Sequence, residues 1–464
     1  MRRTRIHLLL LVIVLLPACR AVSRPTGALQ PTVVPAITPA PAPVGPSDEG
    51  PRWWNDAVFY EVFVRSFYDS DGDGIGDLAG LTQQLDYLND GDPTTDDDLG
   101  ITGIWLMPVM ESVSYHGYDV VDYYTIEQDY GTDDDLQTLI AEAHQRGIRV
   151  IVDLVFNHTS WEHPWFINSL EGQGAERRDW YIWRDEDPGY VGPWGQKVWY
   201  LHQGDYYYAI FWEGMPDLNY RNSDVTEAAY GITRFWLEGM GVDGFRLDAA
   251  QYLIEEGEDQ ASTPATHTWW ADFDDLTDEI GHDVLTVGEV WADTSAVTPY
   301  ITDGELDLAF EFNLASAIIS SVSGGDPAWF DYVLAQVEAG YPPRQYATFL
   351  TNHDQNRVMS QLRGDTEAAR LAATLLLTLP GTPFIYYGEE IGMTGQKPDQ
   401  RIRTPMQWTA AENAGFTAGF PWEPVNADYE TVNVEAQAAD PDSLLNHYRR
   451  LIRLRSEQPA LAPR

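Results

Sequence analysis

Short apolar bursts rich in β-branched and aromatic residues punctuate the chain at 58–63, 101–107, 148–156, 242–247, 284–290, 306–312, 346–350 and 383–387. Runs of this length predict strands buried on both faces. Most are separated by helical patterns. Thr132-Asp133-Asp134-Asp135 has the form of a capping box, opening a helix from Leu136 to His144 that Gly147 stops. A second helix is predicted from about Ser223 to Glu238, before Gly239, and a last one near Ser443 to Glu457. Eight strands alternating with helices predict an α/β fold of parallel strands covered on both sides, closed into a (β/α)8 barrel of the TIM type.

One connection breaks this rhythm. Residues 157–222 are dense in Trp, Tyr and Gly and too long for a structureless loop, so a subdomain inserted after the third strand is expected, dividing the barrel into 51–156 and 223–464. Trp161, Trp165, Trp180, Trp194 and Trp212 of that insertion are read mostly as its core, with sugar stacking as the alternative for any one of them. No repeat of solenoid type is found.

The start of the chain has a different grammar. Arg2, Arg3 and Arg5 precede an apolar run from Ile6 to Leu16, followed by Pro17-Ala18-Cys19. That run is shorter than the roughly 20 residues that span a bilayer, and it reads as a secretory signal over residues 1–19. Its ending resembles a bacterial lipobox with Cys19, the sole cysteine, as the lipidated residue. Residues 20–50, rich in Pro and Ala, read as an extended tether. The expectation is an extracellular or cell-surface domain anchored to the membrane only through lipid.

Composition narrows the partners. The chain has 464 residues with 28 Lys and Arg against 72 Asp and Glu, a formal net charge of −44. Such a surface repels phosphate backbones and anionic headgroups, which argues against nucleic acid and polybasic membrane docking. A solvated acidic shell is the plain reading of the excess. With 44% hydrophobic residues the chain has enough apolar material for a large core. A single cysteine permits no internal disulfide, and no Gly-rich phosphate loop in the right context suggests an organic cofactor.

In a barrel of this type the site lies where strands end and the following loops begin. Those ends carry Asp153 to His158 after strand three, Arg246 and Asp248 after strand four, Glu289 after strand five, and His353 with Asp354 after strand seven. Arg246 and Asp248 are two apart on one strand and point the same way, so the arginine is expected to keep Asp248 ionised. Glu289 falls at the end of the neighbouring strand. Two carboxyls roughly 5 Å apart suit a retaining glycosidase, one attacking the sugar and the other handling the proton. Glu289 must then stay protonated near neutral pH, with burial, Asp248 and Asp354 raising it. The alternative is that these acids only pair with arginines at a barrel rim.

Taken together, the segments Asp153-Leu154-Val155-Phe156-Asn157-His158, Gly244-Phe245-Arg246-Leu247-Asp248-Ala249-Ala250, Gly288-Glu289-Val290-Trp291 and Phe349-Leu350-Thr351-Asn352-His353-Asp354 resemble the α-amylase family of glycoside hydrolases. Tyr115-His116-Gly117-Tyr118-Asp119, Met215-Pro216-Asp217-Leu218-Asn219 and the stretch from Gly381 to Glu390 agree with it. The resemblance implies Asp248 as nucleophile, Glu289 as general acid/base, and Asp354 as a third carboxylate that grips sugar hydroxyls. It implies that Arg246 sets the ionisation of Asp248, that His116, His158 and His353 hydrogen-bond the sugar before the scissile bond, and that Tyr118 stacks beneath it. Asp153 and Asn157 are expected to support the site.

Asp69-Ser70-Asp71-Gly72-Asp73-Gly74-Ile75-Gly76-Asp77 has oxygens at alternate positions, as in an EF-hand, but Gly80 stands at the twelfth position and a strand precedes the loop. Relatives with this loop bind structural Ca2+ through residues matching Asp69, Asp71, Asp73 and Asp77 and the carbonyl of Ile75. Tyr252 replaces a histidine that assists a second calcium in many relatives, so no second site is assigned.

Bond specificity is divided. In the family, Ala or Thr after the nucleophile accompanies α-1,4 cleavage and Val accompanies α-1,6; here the residue is Ala249. Against the amylase side, Gln251 and Tyr252 replace a Lys-His pair, and Arg403-Thr404-Pro405-Met406-Gln407-Trp408 resembles α-glucosidases and sucrose- or trehalose-converting relatives. The preferred expectation is a monomeric hydrolase of starch-like α-glucans. An α-glucosidase or oligo-1,6-glucosidase is the alternative, and a glycan-binding lipoprotein with an unused barrel is the remote one. Family members usually continue into an antiparallel β domain after the last helix, whereas this sequence stops at Arg464; whether truncated or dispensable, the missing domain is expected to leave Leu454 and Leu461 partly uncovered.

Overall fold

A computed structural model describes residues 52–461 apart from 282 and 459; the expected signal and tether lie outside the described residues. Eight parallel strands form the barrel: β1 (Phe59–Val62), β2 (Gly103–Leu106), β3 (Arg149–Leu154), β4 (Gly244–Leu247), β5 (Leu285–Gly288), β6 (Leu308–Ala309), β7 (Ala347–Thr348) and β8 (Thr382–Tyr386). Their order is β6-β5-β4-β3-β2-β1-β8-β7, and a parallel bridge between Phe310 and Ala347 joins the two edges. The (β/α)8 barrel expected from the apolar bursts is thus the observed fold.

Strand residues alternate between two cores, as period-two side chains must. Phe59, Trp105, Ile151, Leu285, Val287, Leu308 and Phe384 fill the barrel interior, where Phe59 and Phe384 stack with centroids 4.4 Å apart. Their strand neighbours Tyr60, Ile104, Leu106, Val150, Val152 and Phe245 face the surrounding helices. Gly244 occupies an inward position where a Cβ would come within 2.2 Å of the Leu285 carbonyl oxygen, so only glycine lets β4 and β5 approach there.

Two strands, β6 and β7, are reduced to two residues of their apolar runs. Within 306–312 the chain already enters the helix Phe312–Gly324, and beyond Thr348 it bends toward the site. The capping box forms as expected: the Thr132 hydroxyl accepts the Asp135 N–H, and Asp135 accepts the Thr132 N–H at 2.9 Å. The helix Ser223–Arg234 departs from expectation by running into a π-helical turn, Phe235–Met240, and ending on Gly241 rather than before Gly239. The widened turn contains Trp236, which is fully buried with its indole N–H donating to the Tyr123 carbonyl at 3.0 Å.

Between β3 and that helix lie a short helix, Pro164–Ser169, and a three-stranded antiparallel sheet of Trp183–Arg184, Trp199–His202 and Asp205–Tyr208. An antiparallel hairpin, Met110–Ser112 with Val120–Ile126, follows β2 and carries the loop of His116 and Tyr118. At the far end, the helix Leu444–Glu457 buries Leu444, Leu445, Tyr448 and Ile452, while Leu454 is 40% exposed and Leu461 is half-buried. Among the described residues, no helix is long and apolar enough to cross a membrane.

Candidate active site

The site is the polar top of the barrel interior. Two residues beyond inward-facing Phe59 stands Glu61, beyond Ile151 stands Asp153, beyond Gly244 stand Arg246 and Asp248, and beyond Val287 stands Glu289. Asp153 lies directly opposite Arg246 in the β3–β4 pairing, and Arg246 opposite Val287 in β4–β5. Backbone bonds fix the two residues just past the strands: Asp248 N–H donates to Leu154 O at 3.1 Å and Glu289 N–H to Leu247 O at 2.9 Å. Ala249, next along, adopts a left-handed conformation at φ 49°, which turns the chain sharply and aims its N–H at Glu289 Oε2, 3.1 Å away.

One guanidinium serves three carboxyls. Arg246 Nη1 donates to Asp153 Oδ1 at 2.8 Å and to Asp248 Oδ1 at 2.7 Å, while Nη2 meets Glu289 Oε2 at 2.9 Å. The arginine side chain is 1% exposed. Burial dominates: it pushes Glu289 up to about 7, with Arg246 opposing and Asp248 and Asp354 adding. The same burial pushes Asp248 up to about 7 against the pull of Arg246, and Asp153 up to about 6. Arg246 favours the ionised form of Asp248, as expected, but its single buried charge is divided among three acids. The Asp248–Glu289 pair therefore takes up and gives up a proton near neutrality as a unit.

Asp354 behaves oppositely. Burial would raise it, but His353 and the Arg403 guanidinium hold it down at about 2, with Lys397 adding. Arg403 Nη2 donates to Asp354 Oδ1 at 3.0 Å, and the carboxylate keeps 36% exposure toward the cleft.

These groups open into a cleft of about 620 Å³. His116, Tyr118, His158, Asp248, Glu289 and Asp354 line it; Arg246 and His353 do not, each being almost completely buried behind the wall. The Tyr118 hydroxyl bonds Asp153 Oδ2 at 3.0 Å and His353 Nε2 at 2.7 Å, and its ring stacks on the His353 ring at 5.3 Å. His116 accepts the Tyr118 N–H on Nδ1 at 3.1 Å. His158 spends its Nε2 on the Tyr118 carbonyl at 3.1 Å, and burial lowers it to about 3, so its ring is neutral. Asn157 braces the loop by donating to Asp217 Oδ2 at 3.0 Å. Aromatic rings stand at the rim: Trp291 stacks on Phe312 at 4.5 Å, and Trp212 meets Trp161 at 5.8 Å. Of the five tryptophans read as insertion core, Trp165 and Trp180 pack together, whereas Trp161, Trp194 and Trp212 are exposed and the last two line the cleft.

The sequence matches the family described as alpha amylase, catalytic domain, over residues 61–463. This chain belongs to the α-amylase family and is a glycoside hydrolase. It is 41% identical over 414 residues to Alpha-amylase 3 of Dictyoglomus thermophilum, covering 88% of this chain and 79% of that protein. It is 35% identical to an oligo-1,6-glucosidase of Parageobacillus thermoglucosidasius, covering 87% and 84%. Among solved structures it resembles an α-amylase from H.orenii at 47% identity, TM-score 0.80, covering 88% of this chain and 83% of that chain.

The acidic loop before the helix Leu78–Gln83 gathers carboxylates that could hold a cation. Asp69, Asp71 and Asp77 present oxygens within 4.8 Å of one another, a hard donor set that fits calcium. Asp73 is not in that group; its carboxylate accepts the Ile75 N–H at 2.8 Å. Asp77 also caps the helix by accepting the Gly80 N–H at 2.6 Å. Although burial acts to raise it, Asp69 is held below the usual carboxylate range by the Thr417 hydroxyl and the amides of Gly72, Gly74 and Asp71. The loop is zipped to the segment after Phe416: Asp69 N–H donates to Phe416 O at 3.1 Å and Trp422 N–H to Gly74 O at 2.9 Å.

Sequence reasoning missed several members of the site. Arg403 was noted only as part of a motif, not as the partner of Asp354. Lys397 and Asp399 line the cleft outside every motif named above, and Trp291, quoted only as the end of the Gly288–Trp291 motif, lines it too. Glu61, behind His353 at 2.6 Å, was hidden inside the first apolar burst, although a lone carboxyl within a run buried on both faces is itself a signal.

Proposed function

We propose that this hydrolase cleaves α-1,4-glucosidic bonds in starch, maltodextrins or related α-glucans by double displacement with retention, working as a monomer. The observation that carries the reading is the pair Asp248 and Glu289 gripped by the two ends of one guanidinium. That arrangement draws the two carboxyls toward each other, as the retaining separation of about 5 Å requires. Arg246 holds Asp248 Oδ1 and leaves the other oxygen to attack the anomeric carbon. As the C–O bond breaks, Glu289 gives its proton to the departing oxygen. The resulting Glu289 carboxylate is met by Arg246 Nη2 and the Ala249 N–H. It then takes a proton from a water that attacks the glycosyl–Asp248 ester, freeing the sugar and restoring both acids. Asp354, ionised throughout, accepts sugar hydroxyls and opposes the positive charge of the oxocarbenium-like transition state. His116 and Tyr118 meet the sugar at the floor, and His158, Arg246 and His353 hold that floor in place.

Ala249 and the α-amylase relative favour the α-1,4 reading. A second reading, α-glucosidase or oligo-1,6-glucosidase, is favoured by Arg403, which ties the Arg403 to Trp408 segment directly to Asp354. Incubation with soluble starch, maltotriose, isomaltose and trehalose separates them. Short maltooligosaccharides from starch with isomaltose untouched are expected; glucose from isomaltose with starch intact would establish the second reading. Calcium, held by Asp69, Asp71 and Asp77, would neutralise that loop and serve stability rather than chemistry. We further infer export and lipid anchoring through Cys19, supported by the basic, apolar and small-residue order of residues 1–19. Recovery of wild-type activity in the membrane fraction, and its release by C19A, tests this.

A further inference from the structure

Glu61 has no part in the steps above, yet it ends a continuous hydrogen-bonded chain that reaches them. The side chain is 2% exposed, and its Oε1 stands 2.6 Å from His353 Nδ1. Donors along the chain follow from its far end, Asp153, which burial lifts only to about 6 and which is therefore chiefly an ionised acceptor at neutral pH. Asp153 Oδ1 accepts from Arg246 at 2.8 Å, and Oδ2 accepts the Trp105 indole N–H at 3.3 Å and the Tyr118 O–H at 3.0 Å. Tyr118 owns one hydroxyl proton and gives it to Asp153, so its oxygen must accept from the other partner, His353 Nε2, at 2.7 Å. His353 therefore carries a proton on Nε2, the edge that also reaches Asp354 Oδ2 at 3.4 Å. Burial holds the ring well below the usual histidine range, which keeps a second proton off it and leaves Nδ1 a bare acceptor. A carboxylate facing that lone pair at 2.6 Å would repel it, so the hydrogen between them belongs to Glu61. Burial, with Asp153 and Asp354 adding, raises the Glu61 carboxyl well above its ordinary range against the pull of Arg246.

We propose that Glu61 is a neutral acid whose O–H donates to His353 Nδ1, making it the positioning residue that locks the His353 Nε2–H toward Tyr118 and Asp354. The opposite tautomer would set a bare Nε2 against the Tyr118 oxygen and the Asp354 carboxylate. The functional weight of the lock rests on the reading of Asp354 as the carboxylate that grips the sugar, but the tautomer does not.

The first test is ring-nitrogen NMR of the 15N-histidine-labelled enzyme at neutral pH, with His353 assigned by comparison with H353N. A protonated Nε2 and a bare Nδ1 are expected. A protonated Nδ1, alone or together with Nε2, overturns the proposal whatever the enzyme's substrate. The second test is kinetic. In E61Q the amide N–H still donates to Nδ1, so kcat/KM should stay within about 3-fold of wild type, whereas E61M, which fills the space without a donor, should lose about 10- to 100-fold with its fold intact. Equal activity of E61M and wild type, or a folded E61Q as impaired as E61M, would contradict the lock. If E61M does not fold, E61Q and the NMR still decide.

Discussion

Two carboxylate environments face each other across the cleft, made from the same residue types and tuned in opposite directions. On the β4–β5 side, Asp153, Asp248 and Glu289 share one buried arginine, and burial lifts them to about 6, 7 and 7. On the β7 side, Asp354 has Arg403 beside it at 3.0 Å and is held at about 2. The lesson is one of ratio: several acids sharing one cation leave a proton to trade, and one acid among several positive groups stays charged at any working pH. Trading suits bond cleavage and fixed charge suits gripping a cationic transition state.

Breaking the trading side should have the largest effect. D248N and E289Q should each lower kcat by about 10⁴-fold or more while starch binding persists, measured by steady-state kinetics and by isothermal titration. Loss of the fixed charge comes next: R403L should lower kcat/KM by about 100-fold by leaving Asp354 without its partner. The pH profile sharpens the contrast. With Asp248 and Glu289 both near 7, kcat/KM should be bell-shaped and centred near neutrality. Below the optimum the pair is doubly protonated and lacks a nucleophile; above it the pair is doubly ionised and lacks an acid. In E289Q assayed with an activated aryl glycoside, which needs no proton, the alkaline limb should disappear.

The smaller effects concern stability. Chelation should lower the melting temperature by about 5 °C and D71N should abolish the calcium-dependent increment, since a bound ion stabilises only the folded loop. The site itself should carry a cost of opposite pH sense. A carboxyl lifted from 3.8 to about 7 on folding favours the folded state at low pH, and that contribution is lost as pH rises through 7. D248N should therefore melt about 2–4 °C above wild type at pH 8 and level with it near pH 4.5, by differential scanning calorimetry.

The barrel was legible because parallel strands buried on both faces leave unbroken apolar bursts, and the catalytic candidates because they fall just past those bursts. Where polarity lies inside a burst the pattern fails, as at Glu61. The hairpin Met110–Ser112 with Val120–Ile126 was hidden because register shifts at Glu111 disrupt its alternation. The π-helical turn at Phe235–Met240 was hidden because apolar spacing scarcely distinguishes it from α-helix. Trp161, Trp194 and Trp212 read as core because hydrophobicity does not reveal which side of a cleft a ring faces.

The most direct test of the central claim is to trap the intermediate. The enzyme should be incubated with a 5-fluoro-α-glucosyl fluoride, quenched in acid, digested and mapped by mass spectrometry. A glycosyl adduct on the peptide containing Asp248, absent in D248N, is the predicted result. An adduct on another carboxylate, or continued turnover of the fluoride with inverted product and no adduct, would contradict the account.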